Sequence, residues 1–330
     1  MKRRSLILGT AATLGIASKI KFAGATNLIP ISIGYDGYSM TTAPMYYASK
    51  TGIFKKYGLD EKLIFVPGGS TLSQAGVGGS FDIAQNGYSP AIAATVAGGN
   101  LVIVGGISNT LPFQLVVSPN IRTAADLRGK KIAISKFGSS TDISAGFALT
   151  HLGLTRNDVT ILQLGGEGSR TAALLTGQID GSFEQYPRTA ELLQKGFHVL
   201  VDLTSIDVNY PNTAYVTNRP FLTDHRDVVE KFLMTIIDGI HQYKTNSDEA
   251  IAITGEFLNV KDPAIVKQAY DLYNAHVFPA VPWPSQTGIS LVLDHLAKKN
   301  PKAASFKPDQ FVDLTPLQDL QKNGFLSKFQ

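Results

Sequence analysis

A two-lobed α/β clamshell with a helical C-terminal tail is the fold class this sequence predicts, and three observations predict it. Short apolar runs bounded by Gly alternate with amphipathic stretches from residue 29 to residue 203, the pattern of buried, mostly parallel strands with helices between them. The chain has 330 residues, enough for roughly two domains. Stretches 113–119 and 214–220 join the two α/β series, so the chain crosses between lobes twice, as a hinge requires.

In the first series, residues 29–35 read as a strand and 43–56 as a helix stopped by Gly58. Residues 63–66 form a strand ended by Pro67-Gly68-Gly69, 81–84 a third, 89–97 a helix stopped by Gly98-Gly99, and 101–104 a fourth strand. The second series opens after Ser118-Pro119 with strand 131–135. Gly138-Ser139-Ser140-Thr141-Asp142 then leads into a helix with an apolar stripe at Ala145, Ala148, Leu149 and Leu152, ended by Gly153. Strand 159–162, helix 169–176, strand 179–183, helix 189–195 and strand 198–203 follow, and 214–217 reads as a single return strand.

Beyond Pro220, Asp224 is expected to cap a helix whose face carries Val229, Leu233, Ile236, Ile237 and Ile240. Further helices are expected at 247–257, 263–274, 287–300 and 314–324. No strand series follows residue 217, so the tail should pack on the first lobe rather than form a third domain. The expected division is residues 26–117 and 218–330 for lobe I and 118–217 for lobe II.

The N-terminus reads as an export signal. Met1-Lys2-Arg3-Arg4 is a basic start, residues 6–18 carry no charge, and Ala23-Gly24-Ala25 is a small-x-small site, which places cleavage after Ala25. The apolar stretch is shorter than the ~20 residues of a membrane span. Arg3-Arg4-Ser5-Leu6-Ile7 also resembles a twin-arginine signal, with an ordinary secretory signal as the other reading. Removing residues 1–25 takes away Lys2, Arg3, Arg4, Lys19 and Lys21 and no acid, so 30 basic against 26 acidic residues becomes 25 against 26. That balance offers no basic face for nucleic acid.

Composition excludes more than it selects. With 44% hydrophobic and 17% charged residues, the chain is neither disordered nor a multi-span membrane protein. The absence of Cys removes disulfides, thiolate metal sites, Cys nucleophiles and a lipidated N-terminal Cys. No Gly-x-Ser-x-Gly occurs, Gly129-Lys130 lacks the rest of a P-loop, and Gly76-Val77-Gly78 lacks the third Gly of a dinucleotide fingerprint. The six His, at 151, 198, 225, 241, 276 and 295, show no close metal-ligand spacing. No enzyme, cofactor or metal is expected.

Ligands of hinged α/β proteins sit between lobes, at the C-terminal ends of strands. The loops to watch are therefore 36–41, 85–89, 137–142, 165–168 and 184–188. Gly138-Ser139-Ser140-Thr141-Asp142 is the most informative, because free backbone N–H groups and hydroxyls converge at a helix start and suit an anion. A plain capping role for Ser140 or Thr141 is the competing reading. Tyr38, Ser39, Gln85 and Asn86 offer an aromatic face, a hydroxyl and amides at strand ends, where Asp-Gly and Asn-Gly turn chemistry would also suffice. Glu184 and Tyr186 follow the strand at 179–183 and could face the cleft, with Arg170 and Arg188 as the nearest counter-charges.

These residues resemble a family. Asp126-Leu127-Arg128-Gly129-Lys130-Lys131-Ile132-Ala133-Ile134, Gly138-Ser139-Ser140 and Arg170-Thr171-Ala172-Ala173-Leu174-Leu175-Thr176-Gly177-Gln178-Ile179-Asp180-Gly181 look like the second lobe of periplasmic substrate-binding proteins of ABC importers, in the nitrate/sulfonate/taurine and NMT1/THI5-like group. Ala43-Pro44-Met45-Tyr46-Tyr47-Ala48, Gly52-Ile53-Phe54-Lys55-Lys56-Tyr57-Gly58-Leu59-Asp60 and Phe81-Asp82-Ile83-Ala84 agree in the first lobe. The resemblance implies the periplasmic binding protein-like II fold, Venus-flytrap closure, and delivery of a small ligand to an inner-membrane permease by a monomer free in the periplasm. It implies that Gly138, Ser139, Ser140 and Thr141 seat the ligand's anionic group and that Tyr38-Ser39 faces it. Many members carry a Trp or an Asp-Pro-Tyr segment where this chain has Glu184-Gln185-Tyr186-Pro187.

The expected ligand is a small organic anion, a sulfonate or carboxylate, aliphatic or aromatic. Tyr38 and Phe137 would cover its body, and Asn86 or Glu184 would read its other end. The alternatives are a neutral or basic heterocycle with Glu184 as partner, an exported enzyme, and a ligand-sensing subunit of a membrane receptor.

Overall fold

The computed structural model describes residues 28–206 and 210–329; the expected signal and its cleavage site lie outside the described residues. Two five-stranded sheets form the two lobes. The first contains β1 (Ile29–Tyr35), β2 (Leu59–Phe65), β3 (Ile83–Gly87), β4 (Leu101–Ser108) and β10 (Thr213–Asn218) in the order β2-β1-β3-β10-β4. The second contains β5 (Gln114–Val117), β6 (Lys131–Ile134), β7 (Thr160–Gln163), β8 (Gly181–Glu184) and β9 (His198–Asp202) in the order β7-β6-β8-β5-β9. The two orders follow one plan. Three parallel strands stand side by side, and a fourth runs antiparallel between the third and the last: β10 against β3 and β4, β5 against β8 and β9.

Sheet membership sets the crossings slightly earlier than expected. Gln114–Val117 is a strand of the second sheet, and all of Thr213–Asn218 belongs to the first. Four fully buried residues between Pro112 and Pro119 give no periodicity from which to read a strand, so the sequence presents β5 as a connector.

Other boundaries shift for local reasons. The stretch expected as one helix, 43–56, is two, Ala43–Lys50 and Ile53–Lys56, because Gly52 adopts φ 75° between them. Gly69–Val77 is a helix that the sequence hides among Gly, Ser and Thr. Asp224 ends a short helix, Arg219–Asp224, which Asn218 caps by accepting from the Phe221 N–H, and the long helix Arg226–Thr245 starts after it. That helix buries Val229, Phe232, Leu233, Ile236, Ile237 and Ile240 against the first lobe. Asp238, buried on the same face, accepts from Lys56, Tyr57 and Gln242 and so fixes the helix Ile53–Lys56 onto it.

The tail does more than cover lobe I. The helix Gln286–Ala297 packs on the first-lobe helix Tyr88–Val96. It also reaches the second lobe, where His295 stacks on Phe147 at 6.1 Å and Lys299 lies 3.3 Å from Asp142. Among the described residues no helix is long and apolar enough to cross a membrane.

Candidate functional site

The cleft between the lobes holds a cavity of about 590 Å³ of empty space, part of it open solvent. Its walls are the segments that follow strands. From lobe I come Asp36, Gly37, Tyr38, Ser39 and Thr41 after β1, Gly68 and Gly69 after β2, and Gly87 at the end of β3. Lobe II supplies Ser135 and Ser139 to Thr141 after β6, Gly166, Glu167 and Arg170 after β7, and Gln185 after β8. Phe113, Asn212 and Thr213 line it where the chain crosses.

The start of the helix Ser140–His151 combines capping with open donors. Ser139 is its N-cap and accepts from the Asp142 N–H at 3.3 Å. Asp142, itself buried and paired with Arg156 and Lys299, accepts from the Gly138 N–H at 3.0 Å. The Thr141 hydroxyl accepts from the Ser135 N–H at 2.8 Å. Capping and lobe-building therefore consume the Ser139 and Thr141 hydroxyls and the Gly138 N–H. The Ser140 and Thr141 N–H groups, the first two of the helix, meet no acceptor among the described residues. The Ser140 hydroxyl faces lobe I, and a Cβ built on Gly87 would stand 2.6 Å from it.

Of the eleven residues singled out from the sequence, Tyr38, Ser39, Ser139, Ser140 and Thr141 line the cavity. The other six do not. Gln85 is buried beneath the loop and donates to Thr42 Oγ1 at 3.0 Å. Asn86 donates to the Gly69 carbonyl and Ser73 Oγ and accepts from the Gly87 N–H, so its amide builds the two glycine segments instead of reaching solute. Glu184 is fully buried, with Oε2 accepting from Thr171 at 2.8 Å, and burial pushes its carboxyl up. Phe137 is half exposed outside the cavity, Gly138 donates backward to Asp142, and Tyr186 packs on the lobe I core. The Tyr38 ring sits 4.8 Å from Phe65 and 5.2 Å from Phe257, forming an aromatic rim.

Several wall residues were not singled out, although Asp36, Glu167 and Gln185 lie in the watched loops. Burial pushes the Asp36 carboxyl up to about 6 and the Glu167 carboxyl up to about 7. Arg170, expected as a counter-charge, lines the cavity yet donates from its terminal nitrogens to the Gly165 and Phe183 carbonyls at 2.8 and 2.9 Å. Asn212, Thr213 and Ser135 carry no motif and become visible only when the crossings are in place. Among the described residues no group of three His, Asp or Glu could hold a metal ion.

Two mixed-sheet lobes joined by two crossings, with a polar cavity at the strand ends, define a periplasmic-binding-protein fold. A model of the NMT1/THI5 like family matches residues 39–250. The chain belongs to that family. It is 29% identical over 262 residues to a putative aliphatic sulfonates-binding protein of Escherichia coli K12, covering 77% of this chain and 80% of that one. It is 28% identical over 255 residues to a putative thiamine biosynthesis protein of Haemophilus influenzae, covering 74% and 76%. Among solved structures, the alkanesulfonate-binding protein SsuA of Xanthomonas axonopodis pv. citri, bound to MOPS, superposes with a TM-score of 0.73 at 22% identity over 86% of this chain and 98% of that one.

Proposed function

We propose that this protein binds a small organic acid, a sulfonate or carboxylate, between its lobes in the periplasm and delivers it to an inner-membrane ABC permease. One observation carries the reading: the Ser140 and Thr141 N–H groups open into the interlobe cavity with no acceptor of their own. An anionic oxygen there gains two main-chain hydrogen bonds and the positive end of a twelve-residue helix. Ser140 sits beside Gly87 of the other lobe, so an acid held there lies where the lobes meet and favours the closed form over the open one. Tyr38 and its aromatic neighbours cover the ligand's apolar body. The sulfonate-binding names among the relatives support the acid class.

The heterocycle reading that relied on Glu184 loses support, since that carboxylate is buried and engaged with Thr171. Export with cleavage after Ala25, and action as a monomer, belong to the same proposal. A thermal-shift panel on protein starting at Thr26, stripped of ligand by unfolding and refolding, tests it. Acids at 100 times Kd should add about 2.7 kcal/mol to stability. Shifts with uncharged heterocycles and none with acids would overturn the acid reading.

A further inference from the structure

Gln185 lines the interlobe cavity with only 6% of its surface exposed, and most of its polar atoms are already engaged. Its N–H donates to Glu167 Oε1 at 3.0 Å, and its carbonyl accepts from the Thr189 N–H at 3.0 Å. Its side-chain Oε1 accepts from the Tyr273 hydroxyl at 3.4 Å. The amide nitrogen, Nε2, donates to nothing among the described residues. Two N–H donors of a buried amide are costly to leave unmet, and the open space that Gln185 borders is the cavity.

The hydroxyl that holds this amide comes from the other lobe. Tyr273 belongs to the tail helix Pro263–His276 and to the lobe I core, and it lies outside the cavity wall. Burial and the charges of Glu167 and Asp202 push its phenol well above the usual tyrosine range, so it keeps its proton and donates it. With the amide oxygen fixed on that donor, the nitrogen points the other way. Neighbouring residues dock the same segment on lobe I: Tyr186 packs on the lobe I core, and Arg188 donates to the Leu258 carbonyl at 3.3 Å. Gln185 is thus a lobe II residue whose orientation depends on contact with lobe I.

We propose that Gln185 donates from Nε2 to an acceptor oxygen of the bound acid, and that Tyr273 positions this amide from across the cleft. The proposal rests on the acid-binding reading above and adds a side-chain donor to the two main-chain donors at Ser140 and Thr141. It also couples recognition to closure. With the lobes apart, the amide loses Tyr273 and either of its ends can face the solute. With the lobes together, the nitrogen alone does.

Calorimetry on the stripped protein starting at Thr26 tests both parts, with propane-1-sulfonate, benzenesulfonate, butyrate and benzoate as probes at pH 8 and pH 5. Gln185→Met keeps the length of the side chain and removes its donors. Affinity for the acids that bind wild type should fall about 10-fold or more, the worth of one hydrogen bond to a charged group. Gln185→Glu is the sharper variant. At pH 8 the introduced carboxylate accepts from Tyr273 and turns a second negative oxygen toward the acid, so binding should weaken at least as much. At pH 5 the carboxyl regains a proton, donates as the amide did, and should restore affinity to within about 3-fold of wild type. Asp36, Glu167 and Arg170 share the wall, and comparison with wild type at each pH removes their own titration. Tyr273→Phe should cost about 3- to 10-fold in the wild-type background and nothing further on top of Gln185→Met, since the two residues act as one unit. Circular dichroism checks that each variant is folded.

Wild-type affinity in Gln185→Met would overturn the contact with the solute and leave the acid reading standing. A folded Gln185→Glu that stays weak at pH 5 would contradict donation from this position. An equal loss from Tyr273→Phe in both backgrounds would contradict its positioning role. No acid bound by the wild-type protein would contradict the acid reading as well.

Discussion

The two lobes build their halves of the cleft by different means. Lobe I offers mostly main chain: Gly37, Gly68, Gly69 and Gly87 bring bare backbone to the cavity, and Asn86 holds two of these segments from behind. Lobe II offers helix starts and side chains, with Ser140 and Thr141 at one, Glu167 and Arg170 at another, and Gln185 after β8. The difference teaches that the first lobe sets the shape of the cavity and the second sets most of its polarity. The segment after β1 is the exception, with Tyr38, Ser39, Thr41 and the carboxylate of Asp36 on the wall.

Adding atoms to the bare backbone should break the comparison most severely. In Gly87→Ala the new Cβ would stand 2.6 Å from Ser140 Oγ and 2.9 Å from the Pro90 ring. Ser140 must then leave its place against lobe I. The expected result is a loss of affinity on the order of 100-fold, equivalent to about 2.7 kcal/mol. Scattering should show no compaction when an acid is added, and a wild-type compaction would count against the role of Gly87 in closure.

Asn86→Leu attacks the support behind that backbone. It strands the Gly69 carbonyl, Ser73 Oγ and the Gly87 N–H in a buried place, at a cost of about 2–3 kcal/mol. The midpoint of thermal unfolding should fall by several degrees. An unchanged midpoint would mean that water replaces the amide.

Ser140→Pro sharpens the lobe II side. Proline is well tolerated at the first helical position, and Ser139 already has the extended backbone, φ −83° and ψ 169°, that a residue before proline needs. The change removes one free N–H and one hydroxyl and leaves the cap. Acid affinity should drop roughly 10- to 100-fold, the worth of one or two hydrogen bonds to a charged group. Stability of the empty protein should hold.

The smallest effect concerns pH. Burial holds the Asp36 and Glu167 carboxyls up at about 6 and about 7 in the folded empty protein, above their ordinary values of 3.8 and 4.5. Between those values the folded state holds more protons than the unfolded one. Stability of the empty protein therefore falls as pH rises from about 4 to about 7 on account of these groups. Asp36→Asn and Glu167→Gln should each flatten that fall, seen as a higher unfolding midpoint at pH 8 and a smaller gain at pH 5. An equal gain at both pH values would mean that neither carboxyl is raised.

The sequence made the strand ends and the order of elements legible, because apolar runs closed by Gly mark buried strands wherever they occur. It located five of the loops that line the cleft but not Gly68–Gly69 or the crossings. It could not say which polar atoms in those loops remain free. Asn86, Ser139 and Glu184 are as polar as Ser140, Asp36 and Glu167, yet the first two are consumed by Gly87 and Asp142, and Glu184, bonded to Thr171 through one oxygen, is buried away from the cavity. That division depends on neighbours 1 to 13 residues away and on the other lobe. The strand Gln114–Val117 escaped for a related reason: four buried residues mean nothing until β8 and β9 stand on either side.

The most direct test of the central claim is a crystal structure of the stripped protein with the acid that gives the largest shift in the thermal-shift panel. The account predicts the acid oxygens about 3 Å from the Ser140 and Thr141 nitrogens, with Ser140 against Gly87. An acid group seated on Arg170 or outside the interlobe cavity, with those two N–H groups left empty, would contradict it.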